Sequence, residues 1–266
     1  MDLGLAGKTA IVTGGASNIG RAIAITFGEE GANVAIVDID EEGANKVAQT
    51  IREKGAKAKA IRADVTKYSE AERVVKETLD EFGSIDILVN NVGWDDFTPF
   101  MEIPVEKYEK YLDLNLRHVF YFTRAVLPHM IEKQRGAIVN IGSDAGRIGE
   151  FRESIYAACK GGVIAFTKVI AREMGRYNIR VNCVCPGATI PSEEEMGKES
   201  MFAQEWFKKF PLATEEGRER LAKTAYPLRR LGRAQDIANM VVFLASDRAG
   251  WVTGQTISVS GGYTMI

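Results

Sequence analysis

The chain has 266 residues, 45% of them hydrophobic and 26% charged, with 26 Gly, 7 Pro, 3 Cys and a formal net charge of −2. That length suits one large α/β core, since single cores stop growing near roughly 250 to 300 residues. The composition excludes disordered, collagen-like and disulfide-framework classes, and the dispersed Lys and Arg leave no basic field for nucleic acid or an anionic membrane.

In chain order, short β-branched runs alternate with amphipathic stretches: KTAIVTG (8–14) then RAIAITFGEEG (21–31), NVAIVDID (33–40) then EEGANKVAQTIREKG (41–55), AKAIRADV (58–65) then SEAERVVKETLDEFG (69–83). DILVNN (86–91), a long helix over 105–134, GAIVNIGS (136–143), a helix over 154–178, RVNCVCPG (180–187), AQDIANMVVFLASD (234–247) and QTISVSGG (255–262) complete the series. The strands read as continuous apolar runs, as strands buried on both faces do. The pattern predicts a seven-stranded, doubly wound parallel sheet in a single domain over 1–266. Residues 190–226 break the rhythm with a charged insertion in which Phe202, Trp206, Phe207 and Phe210 are read as one helix face. Such a face serves as a lid over a ligand cleft, or as packing on its own domain or a partner subunit.

No window reaches the roughly 18 uninterrupted apolar residues of a membrane span, and the opening segment lacks a basic leader and a cleavage site, so a cytosolic protein is expected. Cys159, Cys183 and Cys185 have no CxxC or Cys/His spacing, which predicts buried free thiols and no metal site.

The first strand ends in TGGASNIG (13–20) and runs directly into a helix, the setting in which backbone N–H groups and a helix dipole bind pyrophosphate. Gly14 permits the tight turn and Gly20 close helix packing. Asn18 stands where a middle glycine is usual, and Asn tolerates positive φ. Asp38 ends the second strand, where a carboxylate binds ribose hydroxyls and repels a 2′-phosphate, which favours NAD over NADP. Asp40 is the alternative cap for the following helix. Tyr156 and Lys160 share a helix face at i,i+4. Ser143 ends a strand at the crevice. A hydroxyl to hold the substrate oxygen, a tyrosine to move the proton and an ammonium to lower its pKa describe hydride chemistry with a nicotinamide.

With Asp64-Val65, NNVG (90–93), Asn115, Pro186-Gly187, TGQ (253–255) and SGG (260–262), these residues resemble the short-chain dehydrogenase/reductase family over essentially the whole chain. The resemblance implies a seven-stranded Rossmann sheet and a tetrad of Asn115, Ser143, Tyr156 and Lys160. Tyr156 would be the acid/base, Ser143 would polarise the substrate oxygen, Lys160 would hold the nicotinamide ribose, and Asn115 would maintain a water-linked proton path. The implied NAD site comprises Gly14, Ser17, Asn18, Ile19, Gly20, Asp38, Asp64, Val65, Asn91, Gly93, Tyr156, Lys160, Pro186, Gly187 and Thr189. Pro191 occupies a position often held by threonine in the family, leaving Thr189 or Ser192 to contact the carboxamide. The family habit is a homotetramer.

A narrower resemblance rests on NVGWDDFTPF (91–100), SDAGRIG (143–149), YAACKGG (156–162), VCPG (184–187) and SVSGG (258–262). These strings are similar to dehydrogenases of alicyclic hydroxyacyl-CoA thioesters such as 2-hydroxycyclohexanecarboxyl-CoA. Trp94, Phe97 and Phe100 would wall the ring or be local core aromatics, Trp206 would close on it, and Arg147 and Arg152 would meet a carboxylate, a thioester carbonyl or CoA phosphates or be solvated. The enzyme alternatives are a 3-oxoacyl-(acyl-carrier-protein) reductase and a sugar or polyol dehydrogenase. The non-enzyme alternative is a non-catalytic dinucleotide-binding subunit.

Overall fold

The structure, a computed structural model, describes residues 1–193, 195–198 and 200–266. Seven strands form one sheet: β1 (Thr9–Thr13), β2 (Asn33–Asp38), β3 (Ala58–Arg62), β4 (Ile87–Asn90), β5 (Gly136–Ile141), β6 (Ile179–Pro186) and β7 (Thr256–Val259). The order is β3-β2-β1-β4-β5-β6-β7, with every pair parallel. The continuous apolar runs have their physical cause here, because helices cover both faces. On one face α1 (Asn18–Glu29), α2 (Glu41–Glu53) and α9 (Ala234–Ala245) bury Phe27, Ile51 and Val241 against Val12, Ile36 and Val139. On the other, α3 (Tyr68–Phe82), α5 (His118–Lys133) and α7 (Ser154–Met174) bury Val74, Phe122 and Ile170 against Ile11, Leu88 and Val181. Chain order reverses between β1 and β4, the switch point at which open α/β sheets bind ligands.

Two expectations are corrected. The long helix before β5 is not continuous: α4 (Tyr108–Leu112) passes through a π-helical turn, Asp113–Arg117, before α5. The π-turn changes the phase of the helix and turns Asn115 into the core. Phe202, Trp206, Phe207 and Phe210 do not share a helix face either. They lie in 3₁₀ turns at Met201–Ala203 and Phe207–Lys209 and in their flanks, followed by a turn at Pro211–Ala213, and regular helix begins only with α8 (Glu215–Ala225). Extended backbone at Gln204 and Phe210, with Pro211 next, ends each turn before a helix can propagate. Contacts among the rings, such as Phe202 to Phe207 at 5.0 Å between centroids, organise the segment instead.

By length and composition α7 with its following turn, Ser154–Tyr177, is apolar enough to cross a bilayer, with a mean hydropathy of 1.3 over its best window. In this fold it packs Val163, Thr167 and Ile170 inward and carries Tyr156 and Lys160 to the switch point. Cys159, Cys183 and Cys185 are buried and free.

Candidate active site

The α1 turn is built as its sequence implies. Gly14 has φ +64°, and a Cβ on Gly20 would stand 1.9 Å from the Gly14 carbonyl oxygen, so α1 approaches β1 only because position 20 is glycine. Asn18 adopts φ +43°, the left-handed conformation expected of it. Asn91 braces the turn from β4, its Nδ2 donating to the carbonyls of Thr13 and Gly14 at 3.1 Å each. Ser17 provides no side-chain cap to α1, leaving first-turn N–H groups open to the cleft. The Asn18 N–H donates to the Glu195 carbonyl at 2.9 Å, which seats the start of the inserted segment on the turn.

Asp38 holds its carboxyl through the N–H groups of Ala16 (3.0 Å) and Asp40 (3.1 Å), and burial raises its pKa above the ordinary value against those bonds. Capping of α2 falls to Asp40, which accepts from the Gly43 N–H at 3.0 Å, so Asp38 faces the cleft without a capping duty. The uncapped α1 terminus, the open turn and this carboxylate fit the pyrophosphate and adenosine ribose of a dinucleotide.

Ser143, Tyr156 and Lys160 meet beyond the carboxyl ends of β4 and β5. Lys160 is 2% exposed and donates from Nζ to the Ile141 carbonyl at 3.0 Å, which leaves two N–H groups for a ligand. Burial pushes its pKa down to about 8. Its Nζ lies 5.7 Å from the centre of the Tyr156 ring. The expected lowering of the Tyr156 pKa is not present: burial, then the Glu153 charge, raise it, and the Ser143 hydroxyl opposes them only in part. Asn115 is fully buried, with Oδ1 accepting from the Trp94 N–H at 2.9 Å and Nδ2 donating to the carbonyls of Trp94 at 2.8 Å and Tyr111 at 2.9 Å. It does not line the cleft. It fixes the loop that does.

One cleft of about 1320 Å³ collects these groups. Its lining includes Gly14, Ser17, Asn18, Ile19, Gly20, Asp38, Asp64, Val65, Asn91, Gly93, Pro186, Gly187 and Thr189, together with Trp94, Phe97, Arg152 and Trp206. Phe97 faces Trp206 at 6.0 Å and Phe210 at 5.5 Å between centroids. Arg152 Nε donates to the Phe97 carbonyl at 2.6 Å, and its guanidinium lies 5.3 Å from the Phe210 ring centre. Asn18, Phe97 and Arg152 all have positive φ, backbone strain of the kind that collects at ligand sites.

Arg147 is a correction. Its guanidinium, carried by the short α6 (Ala145–Ile148), donates to Ser258 Oγ at 2.7 Å, and that hydroxyl donates to Asp144, so Arg147 ties the segment after β5 to β7 and is absent from the cleft wall. Phe100 also lies outside, 54% exposed in a 3₁₀ turn. Sequence reasoning missed Asp95, Glu150, Glu153 and Tyr263 in the lining. Glu153 stands one helical turn before Tyr156, a spacing that could have revealed it.

The family model described as enoyl-(acyl carrier protein) reductase matches residues 14–264. A sorbitol dehydrogenase of Cereibacter sphaeroides is 39% identical over 262 residues, 98% of this chain and 99% of that protein. The 3-oxoacyl-(acyl-carrier-protein) reductases FabG of Staphylococcus epidermidis and Thermotoga maritima are 37% and 35% identical, each over 97% of this chain and covering 99% and 98% of their own lengths. A solved structure described as a short-chain alcohol dehydrogenase from Sinorhizobium meliloti superimposes with a TM-score of 0.88 at 30% identity, over 99% of this chain and 98% of that one. The chain belongs to the short-chain dehydrogenase/reductase family. It is an oxidoreductase of the alcohol dehydrogenase type working with a nicotinamide dinucleotide.

Proposed function

We propose that the protein oxidises a secondary alcohol on an alicyclic or branched acyl thioester with NAD, of the kind represented by 2-hydroxycyclohexanecarboxyl-CoA. The observation carrying this reading is the aromatic wall of Trp94, Phe97, Trp206 and Phe210 in the cleft that also opens on Ser143 and Tyr156. Such a wall suits an apolar ring. In this reading Ser143 holds the carbinol oxygen and Tyr156 takes its proton. Lys160 binds the nicotinamide ribose through its two free N–H groups and adds positive charge beneath Tyr156. Asn115 acts by holding Trp94 and the neighbouring loop. The nicotinamide supplies a hydride acceptor when bound. Asp38 supports NAD, because a carboxylate there repels a 2′-phosphate. Residues 190–226 serve as the lid, the protein works in the cytosol, and it assembles as a homotetramer.

A second reading, polyol oxidation, is favoured by the carboxyl groups of Asp95 and Glu153 in the same cleft and by the likeness to a sorbitol dehydrogenase. The deciding experiment follows nicotinamide absorbance with NAD or NADP and five substrates: 2-hydroxycyclohexanecarboxyl-CoA, a linear 3-hydroxyacyl-CoA, the two corresponding free acids and sorbitol. NAD reduction with the cyclic thioester supports the first reading. Turnover of sorbitol with silence on every thioester overturns it.

A further inference from the structure

The loop after β4 carries an acid that the hydride chemistry leaves without a task. Asp95 is 2% exposed. Its Oδ1 accepts the N–H groups of Asp96 at 2.8 Å and Phe97 at 3.4 Å, which shapes the turn. Its Oδ2 is buried in the cleft lining with no hydrogen-bond partner among the described residues. An acceptor so placed is costly unless a proton or a ligand satisfies it. Glu153 lines the same cleft from the N-cap position of α7, yet its side chain does not cap the helix.

The Asp95 charge disfavours ionisation of Glu153. Burial and the Asp96 charge push Asp95 up to about 7 against the Asp96 and Phe97 N–H groups and the Tyr111 hydroxyl, and burial with the Asp95 and Glu150 charges pushes Glu153 up to about 8. Three of the cations in the cleft lining are engaged elsewhere. Lys107 pairs with Asp96 at 2.9 Å, Lys110 Nζ lies 3.8 Å over the Trp94 ring, and Arg152 donates to Phe97. Of the other facing acids, Asp96 also accepts from Tyr111, and Glu150 accepts the Tyr263 hydroxyl. Glu153 stands one helical turn before Tyr156, and both acids line the cleft that holds the tyrosine, which places them beside the reacting centre.

We propose that Asp95 and Glu153 form a charge-selecting subsite beside Tyr156, which hydrogen-bonds a neutral group of the substrate and rejects a carboxylate at that position. The neutral group is a thioester or ester carbonyl, taking a proton from the carboxyl pair, or a hydroxyl giving one. The inference rests on reading this cleft as the place where the secondary alcohol binds, and not on the thioester itself. A 3-hydroxy acid carries its carboxylate two carbons from the reacting carbon, so it would bring a further negative charge against the pair, most strongly where the pair is itself ionised. Like charges so placed cost several kcal/mol.

The test compares kcat/KM for 3-hydroxybutyrate and its methyl ester, and for 2-hydroxycyclohexanecarboxylate and its CoA thioester, in the wild type, Glu153→Gln and Asp95→Asn/Glu153→Gln. The Glu153 side chain makes no hydrogen bond among the described residues, so the single variant keeps the fold if the double does not. The wild type should prefer each neutral form by at least about tenfold, more strongly above pH 8, and the variants should narrow the ratio at least about threefold. Quenching of tryptophan emission by the ester and by the acid gives the same ratio as a binding measurement without turnover. Equal use or binding of acid and ester by the wild type, or a ratio unchanged in both variants, overturns the proposal. Silence on the thioester with the methyl ester still preferred over its acid would remove the proposed substrate and leave the subsite standing.

Discussion

Asn115 holds Trp94 by both of its backbone polar groups, accepting from the N–H at 2.9 Å and donating to the carbonyl at 2.8 Å. The π-turn makes this pairing possible by directing a fully buried amide at the loop after β4. Replacing Asn115 with Leu would leave both Trp94 groups unpaired. The expected result is a fall in kcat/KM of at least about tenfold, with NAD affinity changed less than about threefold, read by steady-state kinetics and by cofactor titration.

Tyr156→Phe removes the one hydroxyl placed to move the carbinol proton and keeps the ring. Turnover should fall by about 10³-fold while dinucleotide binding, measured by calorimetry, stays within about threefold of wild type. Near-normal turnover would show that another group carries the proton.

Asp38→Ala deletes the carboxylate held by the Ala16 and Asp40 N–H groups. The ratio of kcat/KM with NAD to that with NADP should drop by at least about tenfold, since both ribose hydrogen bonds and the repulsion of a 2′-phosphate are lost. An unchanged ratio would remove Asp38 from the determinants of cofactor choice.

Gly20→Ala puts a methyl group where 1.9 Å separates it from the Gly14 carbonyl oxygen. Backbone must move, so α1 is displaced from β1 at the phosphate turn. The expected outcome is a Tm lowered by several degrees in thermal melts, together with NAD affinity weakened at least about tenfold.

The raised pKa values of Asp95 and Glu153, at about 7 and about 8, set a pH dependence of stability. Between the ordinary carboxyl range and these values the folded chain binds more protons than the unfolded one, so stability falls as pH rises through that window and levels off above about 8. Melts of the cofactor-free protein from pH 5 to 9 should show this decline. Asp95→Asn should flatten it below pH 7, and a decline identical to wild type would contradict the shift.

The alternation of apolar runs and amphipathic helices determined the doubly wound sheet, because strands buried on both faces must be apolar throughout. Local chemistry likewise made the phosphate turn legible: Gly14, Asn18 and Gly20 are there for backbone reasons that neighbouring residues impose. Tyr156, Lys160 and Ser143 were legible from helix spacing and strand ends. Long-range contacts decided the rest. Whether Arg147 or Arg152 enters the cleft depends on Ser258, 111 residues away from the first, and on the Phe97 carbonyl, 55 away from the second. The aromatic insertion obeys ring packing and Pro211 instead of helical periodicity. The protonation of Asp95, Glu153 and Tyr156 is likewise a property of shared burial, which exists only after distant segments have closed around one cleft.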